Sequence, residues 1–213
     1  MDKKLREIIE KARNLSFTYG IKNMSIDDMC NKMGISKKTL YKYIKNKTDL
    51  VEKILEFERE RFKSIFDEYD FEGVNAIDIL LTVSKEIALR FKDVTPSLTF
   101  ELKKYYPELY QKHFDARRDF IFGKIKINLT KGINQGIYRE DLSIELIARL
   151  YISRLIDIHN PEFFPPEKYS FENFFNVMFE NFIRGIAKPE GIKYYEKQFE
   201  KQKNLLKANP NNS

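Results

Sequence analysis

The first fifty residues carry a hydrophobic pattern that repeats every three or four positions and is broken by glycines. This period predicts α-helices, because residues three and four apart lie on one face of a helix. Gly20 and Gly34 are stop signals, so we expect a first helix over about 2–19 and a short second helix that ends near Gly34. The apolar stripe of the first helix consists of Leu5, Ile8, Ile9, Ala12 and Leu15.

Capping residues predict where the next helices begin. Ser25 and Asp28 have the spacing of a capping box, in which a hydroxyl and a carboxylate each satisfy a backbone N–H group. Ser36 is expected to cap a third helix over about 37–44, and Thr48 a fourth that continues into the sixties. A short capped helix, a turn and a second short helix together predict a helix-turn-helix.

The predicted third helix has two different faces. Leu40 and Ile44 lie four residues apart and are expected to point inward. The outward face then carries hydrogen-bond donors and aromatic rings and no acidic group. It consists of Lys37, Lys38, Thr39, Tyr41, Lys42 and Tyr43.

The hydrophobic pattern stays helical beyond Gly73, and no alternating strand pattern interrupts it. A turn over 132–141 and a proline-containing loop over 160–168 separate the later helices. The sequence therefore predicts an all-α fold. The further helices are expected over about 74–92, 96–105, 107–131, 143–158 and 171–187.

The positive charge of the chain is concentrated at its start. The net charge is +6, and residues 1–50 hold twelve Lys or Arg and six Asp or Glu, which leaves 26 of each sign in the other 163 residues. A basic head on a neutral body is typical of a protein that binds a polyanion through its head alone. We therefore divide the chain into a helix-turn-helix head at 1–47, a helical body at 48–203 and a polar tail at 204–213.

Several kinds of site have no support in the sequence. One cysteine, Cys30, and two histidines are too few for a clustered structural zinc site, and no metal or other cofactor is expected. No glycine-rich phosphate loop or catalytic-triad spacing is present, which argues against an enzyme. No stretch approaches the roughly 18 apolar residues that a membrane span needs, so we expect a cytoplasmic protein without a membrane partner.

The segment from Gly34 to Leu50, GISKKTLYKYIKNKTDL in one-letter code, closely resembles the signature of the TetR family of transcription regulators. The resemblance is strong over about residues 5–55, and beyond them only the helical architecture is similar. A few residues differ from those usual in the family, and these differences bear on which operator is preferred. They are Ser16, Cys30, Lys38 and Ile44.

The resemblance implies a DNA-binding transcriptional regulator whose body is a helical sensor and dimerisation domain. By the same resemblance we expect a repressor that binds a palindromic operator as a homodimer and is released by a small-molecule effector. Lys38 and Thr39 are the best candidates for base contact, and Tyr43 and Lys47 for phosphate contact. The alternative is that the lysines only solvate a helix pair and that the tyrosines pack. The expected contacts with double-stranded DNA are Ser25, Lys37, Lys38, Thr39, Tyr41, Tyr43 and Lys47.

An aromatic-rich stretch of the body suits a pocket for a small apolar or aromatic effector. Aromatic residues at helical spacing also suit ordinary core packing, and His113 alone is typical of a surface or satisfied core histidine. Both interpretations stay open. The candidate ligand-binding residues are Phe91, Phe100, Tyr105, Tyr110, His113 and Phe114.

The last two predicted helices are expected, by the resemblance, to pair with their copies in a four-helix bundle. Each carries an apolar stripe, and the alternative is that both stripes complete the core of the monomer. The candidate dimer-interface residues are Ile144, Ile147, Tyr151, Leu155, Phe171, Phe175, Met178 and Phe182.

A second function remains open from the sequence. A TetR-like helical interaction module would act through a protein partner, with its basic head against acidic groups. A DNA-binding protein, in contrast, loses about 0.9 log units of affinity per log unit of salt for each phosphate neutralised, and still prefers a palindromic site over random duplex. Salt and sequence dependence therefore separate the two functions.

Overall fold

The computed structural model describes residues 2–91, 96–157, 168 and 171–208, and within them it contains ten α-helices and no strand. The predicted all-α fold is confirmed. One isolated antiparallel bridge joins Tyr138 to Ala187. The helices are α1 Lys3–Tyr19, α2 Ile26–Met33, α3 Lys37–Leu40, α4 Lys47–Asp67, α5 Ala76–Arg90, α6 Pro96–Tyr105, α7 Pro107–Asn134, α8 Ile144–Asp157, α9 Phe171–Ile186 and α10 Pro189–Ala208.

The predicted end of the third helix and the predicted cap of the fourth differ from the structure. α3 ends at Leu40 rather than near Ile44, because the N–H groups of Lys42 and Tyr43 donate to carbonyls three residues back and form tight turns. Thr48 is not the cap of α4, since the helix begins one residue earlier and the side chain of Asn46 accepts a hydrogen bond from the backbone N–H of Asp49.

α10 was not predicted, although its start has a clear physical basis. Pro189 occupies the first helical position, where its fixed φ suits a helix and its missing N–H costs nothing. The helix continues to Ala208 and therefore includes part of the segment predicted as a polar tail. Residues 209–213, and the loop predicted at 160–168 apart from Lys168, lie outside the described residues.

The chain forms two compact units. The N-terminal unit consists of Met1–Asp70 with Glu86–Arg118, and the C-terminal unit of Phe71–Lys85 with Asp119–Ser213. The body predicted at 48–203 thus contributes α4 and α6 to the same compact unit as the helix-turn-helix. The boundary between head and body at residue 47 remains a prediction about function.

Two buried clusters hold the N-terminal unit together. In the first, Ala12 of α1, Leu40 of α3 and Leu50 of α4 are completely buried, so the short helices of the head pack against the start of α4. In the second, Ile21 packs with Val51 of α4 and Leu102 of α6. These contacts fix the segment between α1 and α2 to the first turns of α4.

The core of the C-terminal unit is built around Tyr138. Its hydroxyl donates a hydrogen bond to Oδ1 of Asn128, at 3.1 Å, and Nδ2 of Asn128 donates to the carbonyl of Ala76, at 2.8 Å. Gly132 leaves the space that the ring occupies, because a Cβ at that position would overlap the ring atoms. The buried polar groups are therefore satisfied by one another, as a close-packed core requires.

No helix among the described residues combines the length and the apolar character that crossing a membrane would require.

Candidate nucleic-acid interface

The start of α2 is fixed by the predicted capping box. The Ser25 hydroxyl accepts a hydrogen bond from the Asp28 backbone N–H, at 3.1 Å, and the Asp28 carboxylate accepts from the Ser25 backbone N–H, at 3.0 Å. The hydrogen bonds from Ser25 hold the pKa of Asp28 below its usual range. Two N–H groups of the helix start are thus satisfied, and the first turn of α2 is rigid.

Gly34 turns the chain between α2 and α3. Its φ of 69° lies in the left-handed region, and the Ile35 N–H donates to the carbonyl of Cys30 at 3.1 Å. This conformation is costly for other residues, so glycine suits the position. The turn therefore sets the direction in which α3 leaves α2.

α3 is held from its inner side and from its cap. The Ser36 hydroxyl accepts a hydrogen bond from the Thr39 backbone N–H, at 3.1 Å, and lies 2.9 Å from the Thr39 hydroxyl. Leu40 and Ile44 are buried in the core of the head, as predicted. The opposite face of α3 therefore points to solvent.

The predicted DNA-contact residues of this region lie mostly on that exposed face. Lys37, Lys38 and Tyr41 are exposed, whereas Thr39 and Tyr43 are half-buried. Lys37 also forms an ion pair with Asp27 on α2, and both side chains remain more than half exposed. Such a pair contributes little to stability, so the Lys37 ammonium stays available for another anion.

Lys47 is less accessible than the lysines of α3. Its Nζ donates a hydrogen bond to the carbonyl of Lys22, at 3.0 Å. Burial lowers the pKa of Lys47, and the nearby Glu101 carboxylate acts in the opposite direction. Lys47 thus lies against the segment that leads into α2, the helix whose start carries Ser25.

Lys22 lies next to Lys47 and adds a further positive charge, and it was not predicted as a DNA contact. Its Nζ lies 3.0 Å from the Tyr105 hydroxyl and 4.4 Å from the centre of the Tyr105 ring, while its backbone N–H donates to Glu101 at 3.1 Å. The hydrogen bond from Lys22 lowers the pKa of Tyr105. The positive charge of residues 1–50 was visible in the sequence, but the pairing with α6 depends on tertiary contacts.

The candidate ligand-binding residues do not form one group. Phe91, Tyr110, His113 and Phe114 are half-buried in the N-terminal unit, and the rings of Tyr110 and Phe114 stack with their centres 5.9 Å apart.

Two of the six candidates are exposed. Phe100 is 62% exposed and Tyr105 is also exposed, so neither side chain lies in the interior, and their assignment to a ligand site stays a prediction. The physical reason is the register of α6, which turns Leu98 and Leu102 into the core and places Phe100 between them on the other side.

The candidate dimer residues face the core of their own unit. Tyr151 and Met178 are buried in the core of the single chain, and their assignment to a contact between copies stays a prediction. The other five described residues are half-buried and pack against that core, and the side chain of Phe171 lies outside the described residues. The five are Ile144, Ile147, Leu155, Phe175 and Phe182.

Other apolar side chains of α8 and α9 point to solvent. Leu146 is 60% exposed, Leu150 56% and Val177 62%. In each helix the stripe of highest hydrophobicity completes the core, and a second, smaller set of apolar residues remains outside. Pattern reasoning selected the inner stripe and missed this outer set.

Among the residues that the structure describes, no group of three or more His, Cys, Asp or Glu side chains is arranged to hold a metal ion.

The chain is similar in sequence to known transcriptional regulators. Residues 8–54 match the family model described as bacterial regulatory proteins, tetR family. The chain is 29% identical over 171 residues to an HTH-type transcriptional regulator of Staphylococcus aureus, a match covering 74% of this chain and 92% of that protein.

Solved structures share the fold. A transcriptional regulator from Cytophaga hutchinsonii has a TM-score of 0.70 at 19% identity, over 88% of this chain and all of that one. A transcriptional regulator from Saccharomonospora viridis in complex with choline has a TM-score of 0.62 at 17% identity, with the same coverage.

Proposed function

The chain is a DNA-binding transcriptional regulator of the TetR family, and from this premise we propose that it is a repressor that binds a palindromic operator as a homodimer and leaves it when a small-molecule effector binds. The observation that carries the proposal is the exposed face of α3, which is fixed at one end by the Ser36 cap and from behind by Leu40. A rigid helix that presents donors outward is suited to the major groove.

The side chains of this face have distinct roles in the proposal. Lys38 and Thr39 contact base edges, because an ammonium donates to guanine O6 and N7 and a threonine hydroxyl bonds to either kind of edge. Lys37 reaches bases or phosphates from α3, and Tyr41 and Tyr43 reach them from the turns that follow it. Lys47 and the start of α2 at Ser25 grip phosphates, since a helix N-terminus favours an anion.

A homodimer follows from the geometry of operator recognition. A single helix-turn-helix contacts too few base pairs for a useful affinity, and a two-fold dimer reads two half-sites. The exposed apolar residues Leu146, Leu150 and Val177 of α8 and α9 support a contact between copies, because a monomer leaves them in water.

The effector is proposed to bind within the body, and DNA and effector then favour different states of the dimer. Their affinities must oppose each other reciprocally. The half-buried aromatic residues Phe91, Tyr110, His113 and Phe114 supply apolar surface for such a molecule. The related regulator in complex with choline supports the idea that this fold accommodates a small ligand.

Selection of bound sequences from random duplex DNA tests the proposal most directly. We expect a palindromic site, and we expect affinity for it to fall steeply with salt. Lys38→Ala and Thr39→Ala should change the preferred bases, whereas Lys47→Ala should weaken binding to all duplexes alike. Equal losses on operator and random DNA for all three variants would contradict base recognition by α3.

The same selection separates this function from an interaction module. Failure to enrich any sequence, together with weak and unspecific DNA affinity at physiological salt, would favour a protein partner for the basic head.

A further inference from the structure

Three arginines of the N-terminal unit surround one buried carboxylate. Nε of Arg13 donates to Oε1 of Glu58 at 3.0 Å, and Nη1 of Arg61 donates to the same oxygen at 2.7 Å. The third is Arg117 of α7, whose pKa Glu58 acts to raise. This arginine cluster, Arg13, Arg61 and Arg117 with Glu58, therefore holds three positive charges and one negative charge.

Glu58 is occupied by the first two arginines. Arg13 contacts both of its oxygens, at 3.0 and 3.4 Å, and Arg61 shares one of them. The remaining Nη2 of Arg61 donates to the backbone carbonyl of Arg90, at 2.9 Å. These bonds pair both oxygens of Glu58 with Arg13 and Arg61, so its single charge offsets one of the three positive charges.

Among the residues that the structure describes, Arg117 lies against aromatic rings. Its guanidinium carbon lies 4.8 Å from the centre of the Phe62 ring and 5.6 Å from that of Phe91. In the part of the chain that the structure describes, its five N–H donors have neither a hydrogen-bond acceptor nor a carboxylate in ion-pair contact. Ring contacts offset only part of the cost of removing a charge from water, and burial accordingly lowers the pKa of Arg117.

The neighbouring groups on α7 do not supply the missing anion. His113 lies one turn before Arg117, and its Nδ1 is 3.5 Å from Nη1 of Arg59, another cation. Burial, followed by the charges of Arg117 and Arg59, lowers the pKa of His113 to about 4, so the imidazole is neutral at pH 7. Tyr110 and Phe114 lie on the same side of α7, at helical spacing from Arg117.

We propose that the arginine cluster is the binding site for an organic carboxylate with an apolar body, which pairs with Arg117 and lies against the half-buried aromatic side chains of α7 and Phe91. The planar guanidinium matches a carboxylate in a two-bond fork, and the phenyl rings suit an apolar body. This inference rests on the proposed effector function and names the chemical class of the effector. A cation such as choline is disfavoured here, because the positive charge of Arg117 would repel it.

Calorimetric titration of the full chain with matched pairs of ligands tests the charge requirement. The pairs are benzoate and benzyl alcohol, 4-phenylbutyrate and 4-phenylbutanol, and octanoate and 1-octanol. We expect at least one carboxylate to bind about tenfold or more tightly than its alcohol, as a charge-assisted hydrogen bond in a half-buried site predicts. No preference for the carboxylate in any pair would overturn the proposal.

Variants of two adjacent arginines locate the site. Arg117→Met should remove the preference for the carboxylate, whereas Arg118→Met, which alters an arginine paired with Asp115, should retain it. The thermal midpoint of ligand-free Arg117→Met should equal or exceed that of the wild type, because an unpaired charge is removed. Arg117→Gln provides the same test if the methionine variant does not fold. Unchanged carboxylate binding in a folded Arg117 variant would overturn the assignment.

Operator affinity measured on the same preparations separates the proposed carboxylate site from the proposed DNA-binding function. A protein that binds its operator but shows no carboxylate preference refutes this inference and leaves the DNA-binding function intact. A protein that binds carboxylates through Arg117 but no DNA refutes the proposed function instead. The expected result is that the preferred carboxylate weakens operator binding in the wild type and in Arg118→Met, and has no such effect in Arg117→Met.

Discussion

His113 is kept in its neutral form by its surroundings. It is half-buried, and the guanidinium groups of Arg59 and Arg117 lie on its side of the N-terminal unit. Burial is the main cause of a pKa of about 4, compared with 6.5 for an ordinary histidine, and the two arginines add to it. A hydrogen bond with the backbone of Leu55 acts in the opposite direction and does not compensate.

This depressed pKa predicts a loss of stability in mild acid. Below about pH 6.5 the unfolded chain binds a proton at this histidine and the folded chain does not, so the free energy of unfolding decreases as the pH falls towards 4. Between pH 7 and pH 5 the effect amounts to about 1–2 kcal/mol. Urea denaturation at the two pH values measures it.

His113→Gln is the matched control for that measurement, because it keeps a polar side chain of similar size and does not titrate. The variant should lose less stability than the wild type over the same interval. The second histidine, His159, is present in both proteins and does not affect the comparison. An identical loss in both proteins would show that other groups cause the acid sensitivity.

At the level of single residues, the sequence predicted those positions that depend only on nearby residues in the chain. Ser25, Ser36 and Lys38 lie where capping and periodicity placed them, because each depends on neighbours within four residues. Arg117 and Tyr138 could not be predicted in this way. The first owes its surroundings to Phe62, far along the chain, and the second to a space left by Gly132.

Side-chain hydrogen bonds of Asn46 and Asp49 cap the start of α4. The Asn46 side chain accepts a hydrogen bond from the Asp49 N–H at 2.9 Å, and the Asp49 carboxylate accepts one from the Lys45 N–H at 2.7 Å. Together these bonds satisfy two backbone groups at the helix start. Thr48, which the sequence pattern favoured as the cap, lies inside the first turn with its side chain exposed.

The two candidate caps are therefore separable by substitution. Asn46→Ala should lower the free energy of unfolding by about 1 kcal/mol, because the Asp49 N–H loses its acceptor. Thr48→Ala should change it by less than about 0.5 kcal/mol, as expected for an exposed helical position. Chemical denaturation followed by far-ultraviolet circular dichroism measures both. Equal losses in the two variants would contradict the structural assignment of Asn46.

At the level of elements, helix existence was more predictable than helix limits. α1 and α8 match their predicted spans closely, because long amphipathic repeats and terminal stop signals define them. α3 was predicted too long, since Tyr41 and Lys42 form turns that have the same side-chain pattern as a helix. α10 was missed because Pro189 resembles a terminator when it follows a long helix closely, although proline also starts helices.

In the whole molecule, the inner faces of α8 and α9 pack into the core of their own unit. The rings of Tyr151 and Phe182 lie 4.6 Å apart between the two helices, and both residues belong to the core of the C-terminal unit or pack against it. We therefore expect a contact between two copies to use the outer side chains. Leu146 and Leu150 lie four residues apart on α8, and Val177 projects from α9.

A charge on this outer face should separate the proposed dimer and weaken operator binding. Leu150→Arg places two guanidinium groups in a two-fold interface, so the dimer dissociation constant should rise about tenfold to a hundredfold, as the loss of one or two buried leucines predicts. Affinity for a palindromic site should fall with it, while affinity for a single half-site stays the same. Analytical ultracentrifugation and titration with whole and half operators measure these quantities.

Leu89→Arg is the matched control, because Leu89 is 55% exposed on α5 and belongs to the N-terminal unit. A wild-type chain that remains monomeric at micromolar concentration, or two variants that weaken association equally, would exclude α8 as the contact between copies.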